Sequence, residues 1–353
     1  MSPETTPLGG MQSGICYLSR SLSRRGHDVA LYNNYSDSGV FDGVNCHNID
    51  TYLHLRQFQD CDVYVSISCE GRYLRSIIGR KPLVLFTGHN ADVPIIKKLS
   101  DPLERNCWDA FIFKTNWQAH SFELEFNIDK SNVHVITNAA SYFFHAPAGR
   151  EHYFFEQAGA PILYFSSTPF RGLELLLYAF PLMRVSLPQV RARIFSSMAV
   201  YRRFGKQDQY SALYRACSHV GMEYVGSINQ QQLAQAVSST DILAFPSTYA
   251  ETSCITIMEA MLNCSIIVTH DLGALRETAA GFGHFLAYNP GDDKATLARR
   301  FADFLVSVVA WYRRNPIAGR HYLESQRLYA LRNYSWEKKA EEWEEFLKGL
   351  VAR

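Results

Sequence analysis

Long apolar runs are missing from this 353-residue chain. Nothing approaches the roughly 18 consecutive apolar residues that a membrane-spanning helix needs. No basic and then apolar leader opens it, which speaks against secretion. Charge of one sign is also scarce. The net charge is +1, so no bulk field draws the chain to nucleic acid or to an anionic membrane. Arg24-Arg25, Arg202-Arg203 and Arg313-Arg314 are only pairs, read as solvated faces. The eight cysteines lack CxxC spacing. Reduced thiols in a cytoplasm fit them better than a disulfide frame or a zinc site. HExxH, GxSxG and a complete GxGxxG are absent, which weakens metalloprotease, esterase and dinucleotide readings.

What is present is alternation. Short β-rich runs recur at Val29–Tyr32, Val63–Ile67, Leu83–Phe86, Ala110–Phe113 and Val133–Ile136. Amphipathic stretches separate several of them. The one from Met11 to Arg25 sets Ile15, Leu18 and Leu22 on one helical face. Around residues 146–160 the pattern loosens into Pro, Gly and charge. It restarts at Ile162–Phe165, Ala192–Phe195, Asp241–Phe245 and Ser265–Val268, and from Asp293 onward everything reads as helix. Strands alternating with helices predict parallel sheets covered on both faces. The expected organisation is an α/β protein with an αβα domain over 1–150, a second over 151–332 and a closing helix over 333–353. Ligands of such sheets bind beyond the carboxyl ends of the strands, so a cleft between the domains is the default site.

The stretch "YAETSCITIMEAM", residues 249–261, holds two carboxylates, Glu251 and Glu259. Glu251 follows a Pro246-Ser247-Thr248 loop. Thr252 or Ser253 caps a helix predicted over about Ser253–Leu262, with Asn263 as a left-handed stop. The helix amino end suits a phosphate. Glu259 lies about two turns further on, too far to touch Glu251, so the pair is suited to two parts of one long ligand. The bland reading also stands: Glu251 favours the helix dipole and Glu259 is an exposed helix residue.

The longer segment "FPSTYAETSCITIMEAMLNCSIIVTHDLGALRET" resembles the donor-binding segment of retaining glycosyltransferases with the GT-B fold, the large family 4 group. The matching features are Pro246-Ser247, Glu251, Glu259-Ala260, Ser265–Thr269, Gly273 and Glu277. Three further stretches agree in order: "PLGGMQSGICYLSRSLSRRGHDV", "FSSTPFRGLELLLYAF" and "YVGSINQQQLAQAVSSTDILAFPS". The resemblance runs from Pro7 to about Leu347. It implies two Rossmann-like domains facing across a cleft, with the helix around Trp336 returning to the first.

By this resemblance Glu259 holds the ribose hydroxyls and Glu251 meets the sugar ring. Main-chain N–H groups of Ser253, Cys254 and Ile255, beside Thr252, hold the diphosphate or sugar. Carboxylates accept hydroxyl hydrogens but repel phosphate, which the helix end takes instead. Arg171 is the cation for the departing diphosphate. Most relatives place Lys there and Arg five residues earlier, where this chain has Ser166; Arg202 or Arg203 is the alternative source of charge. Gly9 and Gly10 belong to a loop lying against the phosphates, and no Lys-Ser/Thr follows to make it a P-loop. His89, with Asn90 and Asp92 after it, matches a histidine that contacts the donor sugar or acceptor pocket. Base contacts fall largely on main chain around Ser197-Met198 and Gly226-Ser227-Ile228. Asp60-Cys61-Asp62 is a DxD, but it precedes a strand instead of following one, and reads as a strand lead-in. Each of these residues also has a plain reading as turn, surface or capping residue.

The implied activity is a metal-independent, retaining transfer from a UDP- or GDP-linked sugar, with no cofactor, to a hydroxyl on a glycan, lipid-linked or small-molecule acceptor. A phosphorylase- or hydrolase-like reaction, or a nucleotide- or glycan-binding protein without turnover, stays open as an alternative. The expected location is the cytoplasm, with the membrane surface left open. One feature departs from the relatives, which open with a buried apolar strand. Here "MSPETTPL" precedes Gly9, with two prolines and one aliphatic residue besides Met1, and cannot supply a central parallel strand. The expectation is a chain that begins one strand late, as a fragment or from a downstream start, with a gap beside Val29–Tyr32 and Val63–Ile67.

Overall fold

A computed structural model describes residues 2–34, 38–50, 58–145, 150–157, 159–201, 208–218 and 221–352. The chain forms two compact units, Gly14–Ala139 with Trp336–Arg353, and Met1–Ser13 with Ala140–Ser335. These bounds differ from the expected ones at 150 and at the amino end. Ala140 N–H donates to the Tyr334 carbonyl at 3.1 Å, which ties the segment after Ala139 to the later unit. Gln230 N–H donates to the Pro3 carbonyl at 3.2 Å and ties the first residues to the same unit.

In the first unit, β1 (Val29–Asn33), β2 (Gly39–Phe41) and β3 (Val44–Asn48) make one small sheet in the order β1-β3-β2. A second, all-parallel sheet runs β4-β5-β6-β7, from Tyr64–Ser66, Leu83–Phe86, Ala110–Phe113 and Val133–Val135. Every residue of β5 and β6 is buried. That is why these strands read as unbroken apolar runs and not as alternation. Tyr17, Leu18 and Leu22 of helix Gly10–Arg24 cover one face with Trp336, Trp343 and Leu350 of the closing helix Trp336–Val351. Trp343 meets Phe86 edge to face at 4.9 Å. The opposite face carries Phe111, Phe113, Phe122 and Trp108.

No sheet hydrogen bonding joins β1 to β4, and among the described residues no strand lies between them. Residues 3–6 form a turn, as Pro3 favours. The Phe58 ring bridges the two sheets, 4.9 Å from the Tyr32 ring and 6.5 Å from that of Tyr64. Asp60 pairs with Lys81 at 3.1 Å in the lead-in to β4.

The second unit holds six parallel strands in the order β10-β9-β8-β11-β12-β13. They are β8 (Ile162–Ser166), β9 (Arg191–Phe195), β10 (Met222–Tyr224), β11 (Ile242–Phe245), β12 (Ile266–Asp271) and β13 (His284–Ala287). From β8 the chain winds outward through β9 and β10, then returns to β11 on the other side of β8. The order reverses there, so the loops leaving β8 and β11 diverge at a switch point, where ligands of open α/β sheets bind. Asn229 caps helix Gln230–Val237 in a reciprocal box with Gln232. Asp293 accepts from Thr296 N–H at 2.7 Å to start helix Lys294–Arg314.

The open edge of β4 exposes Val65 and Ile67 by 44% and 45%. Unpaired apolar edges template association with other chains. Val65→Lys is expected to reduce light scattering on heating while altering stability by no more than about 0.5 kcal/mol. Undiminished scattering would locate the association elsewhere.

Candidate functional site

The loop leaving β8 reaches Arg171 through a short 3-10 turn, Pro169–Arg171, and stops at Gly172. Gly172 has φ 111°, and a Cβ there would fall 2.1 Å from the Pro246 carbonyl oxygen. Only glycine allows the left-handed backbone and this close approach together. The turn therefore seats directly on the loop leaving β11, which carries Glu251. Behind that loop, the His270 ring lies 2.8 Å from the Ser247 carbonyl. Ser247 Oγ donates to the Tyr249 carbonyl at 2.9 Å. Glu251 pairs with Gly273 in a parallel bridge, and Ala274 N–H donates to the Glu251 carbonyl at 2.7 Å.

The result is an ion pair between residues 80 positions apart in sequence. Arg171 Nε lies 2.8 Å from Glu251 Oε1. The alignment is not that of a hydrogen bond, so both buried atoms keep hydrogen-bonding capacity. Burial, the largest influence, opposes the Arg171 charge, but Glu251 together with Tyr201, Cys254 and Tyr249 outweighs it and raises the guanidinium pKa. Burial pushes the Glu251 pKa up, and Arg171 partly restrains the rise.

Glu259 is 4% exposed and Glu251 5%. The plain reading of Glu259 as an exposed helix residue is therefore excluded. Burial pushes the Glu259 pKa up to about 8, opposed by a hydrogen bond from the Gln230 side chain. At neutral pH this carboxyl is largely protonated, able to both donate and accept.

The helix bearing Glu259 spans Ile255–Leu262, shorter at its start than expected. Cys254 occupies the N-cap position without a side-chain cap, in place of Thr252 or Ser253. The Thr278 hydroxyl instead takes the Cys254 N–H, at 3.4 Å. Ile255 N–H, as the first of the helix, stays outside the helical ladder. Thr252 is buried, and Ser253 Oγ is buried without a protein partner. Asn263 does not form the left-handed stop. Its amide donates to the Val237 carbonyl and to Ser265 Oγ, both at 2.9 Å, and Cys264 takes the positive φ of 53°.

Gly9 and Gly10 join this group. A Cβ on Gly10 would sit 3.3 Å from Ile255 Cδ1, and one on Gly9 would sit 2.9 Å from Tyr201. Met198 N–H donates to the Tyr214 hydroxyl at 3.0 Å. Ser227 is half-buried in the loop after β10. Ser166 ends β8, and its carbonyl accepts from Thr256 Oγ1 at 2.6 Å. Arg202 and Arg203 lie outside the described residues.

His89 belongs to the other unit, three residues past the end of β5 instead of within the strand. Gln118 Nε2 donates to its carbonyl at 2.9 Å. Its ring is exposed, though partial burial lowers its pKa. Sequence reasoning missed Thr168, Phe170, Gln230, Tyr249 and His270. Phe170 and Tyr249 each adjoin or nearly adjoin a predicted site residue, but only the docked loops bring them together.

The architecture is that of the GT-B glycosyltransferases. Within it, residues 160–306 match the family described as Glycosyl transferases group 1. Over 171 residues the chain is 27% identical to the phosphatidyl-myo-inositol mannosyltransferase of Mycobacterium tuberculosis, covering 48% of this chain and 41% of that relative's length. A Rickettsia africae glycosyltransferase structure aligns with a TM-score of 0.72 at 13% identity, over 97% of this chain and 95% of the other. An Anabaena protein, HepE, solved with UDP-glucose, aligns with a TM-score of 0.67 at 16% identity, over 98% and 97%.

The Glu259 shift has a consequence for stability. The folded state keeps this proton from about the ordinary value of 4.5 up to about 8, while the unfolded chain releases it. Folding is therefore progressively disfavoured as pH rises across that window. Glu259→Gln is expected to flatten the pH dependence of Tm there and to melt a few degrees above the wild type at pH 8. Parallel Tm profiles for the two proteins would show that Glu259 titrates normally.

Proposed function

We propose that this chain is a retaining, metal-independent glycosyltransferase moving a sugar from a UDP- or GDP-linked donor to an acceptor hydroxyl. The observation that carries the reading is the seating of Arg171 on Glu251 at the switch point, with Glu259 buried further along the same segment. The matched family segment spans all three residues. UDP-glucose in the Anabaena structure supports a nucleotide-sugar donor, and the mannosyltransferase relative supports acceptors of the lipid-linked kind beside glycans and small molecules.

In this reading Glu259 takes the ribose hydroxyls, and the amino end of helix Ile255–Leu262 takes phosphate oxygens, which Gly9 and Gly10 approach from the other side. Departure of the diphosphate breaks the bond between its oxygen and the anomeric carbon, and negative charge grows on that oxygen. Arg171 and the helix end are fixed positive groups that stabilise it. These groups do the work a divalent cation does elsewhere. The acceptor hydroxyl bonds to the anomeric carbon on the same face and passes its proton to the departing phosphate oxygen. Glu251 stabilises the positive ring and makes no covalent bond. The two-carboxylate glycosidase mechanism needs both acids at one bond, and Glu259 is placed for a different part of the ligand. His89 is assigned to the sugar or acceptor.

A thermal-shift panel of UDP- and GDP-sugars identifies the donor, because a ligand bound only by the native state raises its Tm. Release of nucleoside diphosphate that depends on acceptor, with the anomeric configuration kept in the product, confirms transfer. Inversion or acceptor-independent release overturns it.

Two substitutions separate the carboxylates. Glu259→Ala is expected to weaken donor and free nucleoside diphosphate alike, whereas Glu251→Ala lowers turnover more than nucleotide affinity. Equal losses of nucleotide affinity would refute the division. Arg171→Ala is expected to cost about 10²-fold or more in kcat, the scale of one charge-stabilising donor. Full activity in that variant would move the role to another cation.

A further inference from the structure

Arg171 is held by more than Glu251. Its guanidinium carbon lies 5.0 Å from the Phe170 ring centre and 5.3 Å from that of Tyr249. Both distances fall within the range of cation–π attraction. The two rings meet edge to face, 5.8 Å apart at 78°, so they brace each other. Arg171 Nη1 also donates to Thr168 Oγ1 at 3.3 Å. Thr248 Oγ1 donates to the Phe170 carbonyl at 3.5 Å and joins the two loops beside the rings.

A site that must present one cation to two anions needs this kind of support. Glu251 takes the Arg171 charge in this structure. A bound diphosphate competes for it, and an unsupported side chain would swing fully to one partner. A planar guanidinium has five N–H donors spread around its edge. With two aromatic rings within 5.0 and 5.3 Å of its central carbon and Nε at Glu251, it keeps donors to spare. Lysine has one compact ammonium, more strongly hydrated and poorly suited to stacking.

We propose that Phe170 and Tyr249 are positioning residues that clamp Arg171 so that it serves Glu251 and the donor diphosphate together, and that this clamp makes arginine, not lysine, the required cation in this chain. The inference rests on the glycosyl-transfer reading above.

The experiment compares Tyr249→Phe, Tyr249→Leu, Phe170→Leu, Arg171→Lys and Arg171→Ala. Turnover is measured with the donor that the nucleotide-sugar panel identifies, and binding with UDP and GDP. Tyr249→Phe keeps the ring and is expected to stay within twofold of wild type. Tyr249→Leu and Phe170→Leu are expected to lower kcat about tenfold, with the Kd for the nucleoside diphosphate that binds changed by less than threefold. Arg171→Lys is expected to be within threefold of Arg171→Ala. The two leucine variants replace different rings, so one that fails to fold leaves the other to decide. Wild-type kcat in a folded leucine variant, or substantial recovery by lysine, overturns the clamp while a defective Arg171→Ala keeps the transfer reading. Full activity in Arg171→Ala, or no turnover with any donor, overturns the transfer reading itself and the clamp with it.

Discussion

The ion pair between Arg171 and Glu251 is the contact on which the second unit's site depends. Glu251 is buried while Arg171 keeps a quarter of its side chain exposed, so the carboxylate is the charge left uncompensated when its partner is removed. The pair forms because β8 and β11 are neighbours at the switch point and Gly172 lets their loops meet. Much of the surrounding loop structure serves this juxtaposition. His270 and Ser247 brace one side of the Glu251 loop, and Gly273 with Ala274 hold its backbone on the other.

Glu259 presents a contrasting solution to the same problem. Among the described residues no cation pairs with it, and burial drives its carboxyl toward the neutral form. A neutral acid can donate one hydrogen bond and accept others, which is useful for a diol. The two glutamates thus have the same chemistry in sequence but different electrostatic settings. One is paired with a cation, and the other is held against Gln230. Their different electrostatic behaviour comes from environment, as it must for groups with the same intrinsic pKa.

The first unit is built differently. Its four-stranded sheet is covered on both faces by aromatic residues, and the closing helix supplies Trp336, Trp343 and Leu350 to one of them. Tyr17 stacks on Trp336 with ring centres 6.1 Å apart, which fastens the chain's last helix to one near its start. The separation of β1 from β4 leaves this unit with two small sheets where hydrophobic periodicity suggested one.

Local pattern alone located nine strands to within a few residues, because buried parallel strands must be apolar along their whole length. It missed β2, β3, β10 and β13. These are short or carry polar residues, as in Val44–Asn48, and depend on partners that no local window contains. The spacing of Glu251 and Glu259, and the Arg171-Gly172 turn, were visible because they are short-range features. Their burial was not, since a helix of eight residues gives too little periodicity to say which face is covered. Nor was the start of that helix, which Thr278 settles from outside it. The aromatic setting of Arg171 needed the tertiary structure. Tyr249 and Phe170 are separated by β9, β10, β11 and the helices that connect them, and only strand order places their loops side by side. Sequence determined which residues carry charge and which runs must be buried. Tertiary structure decided which charges face each other, because that depends on the long-range order of strands.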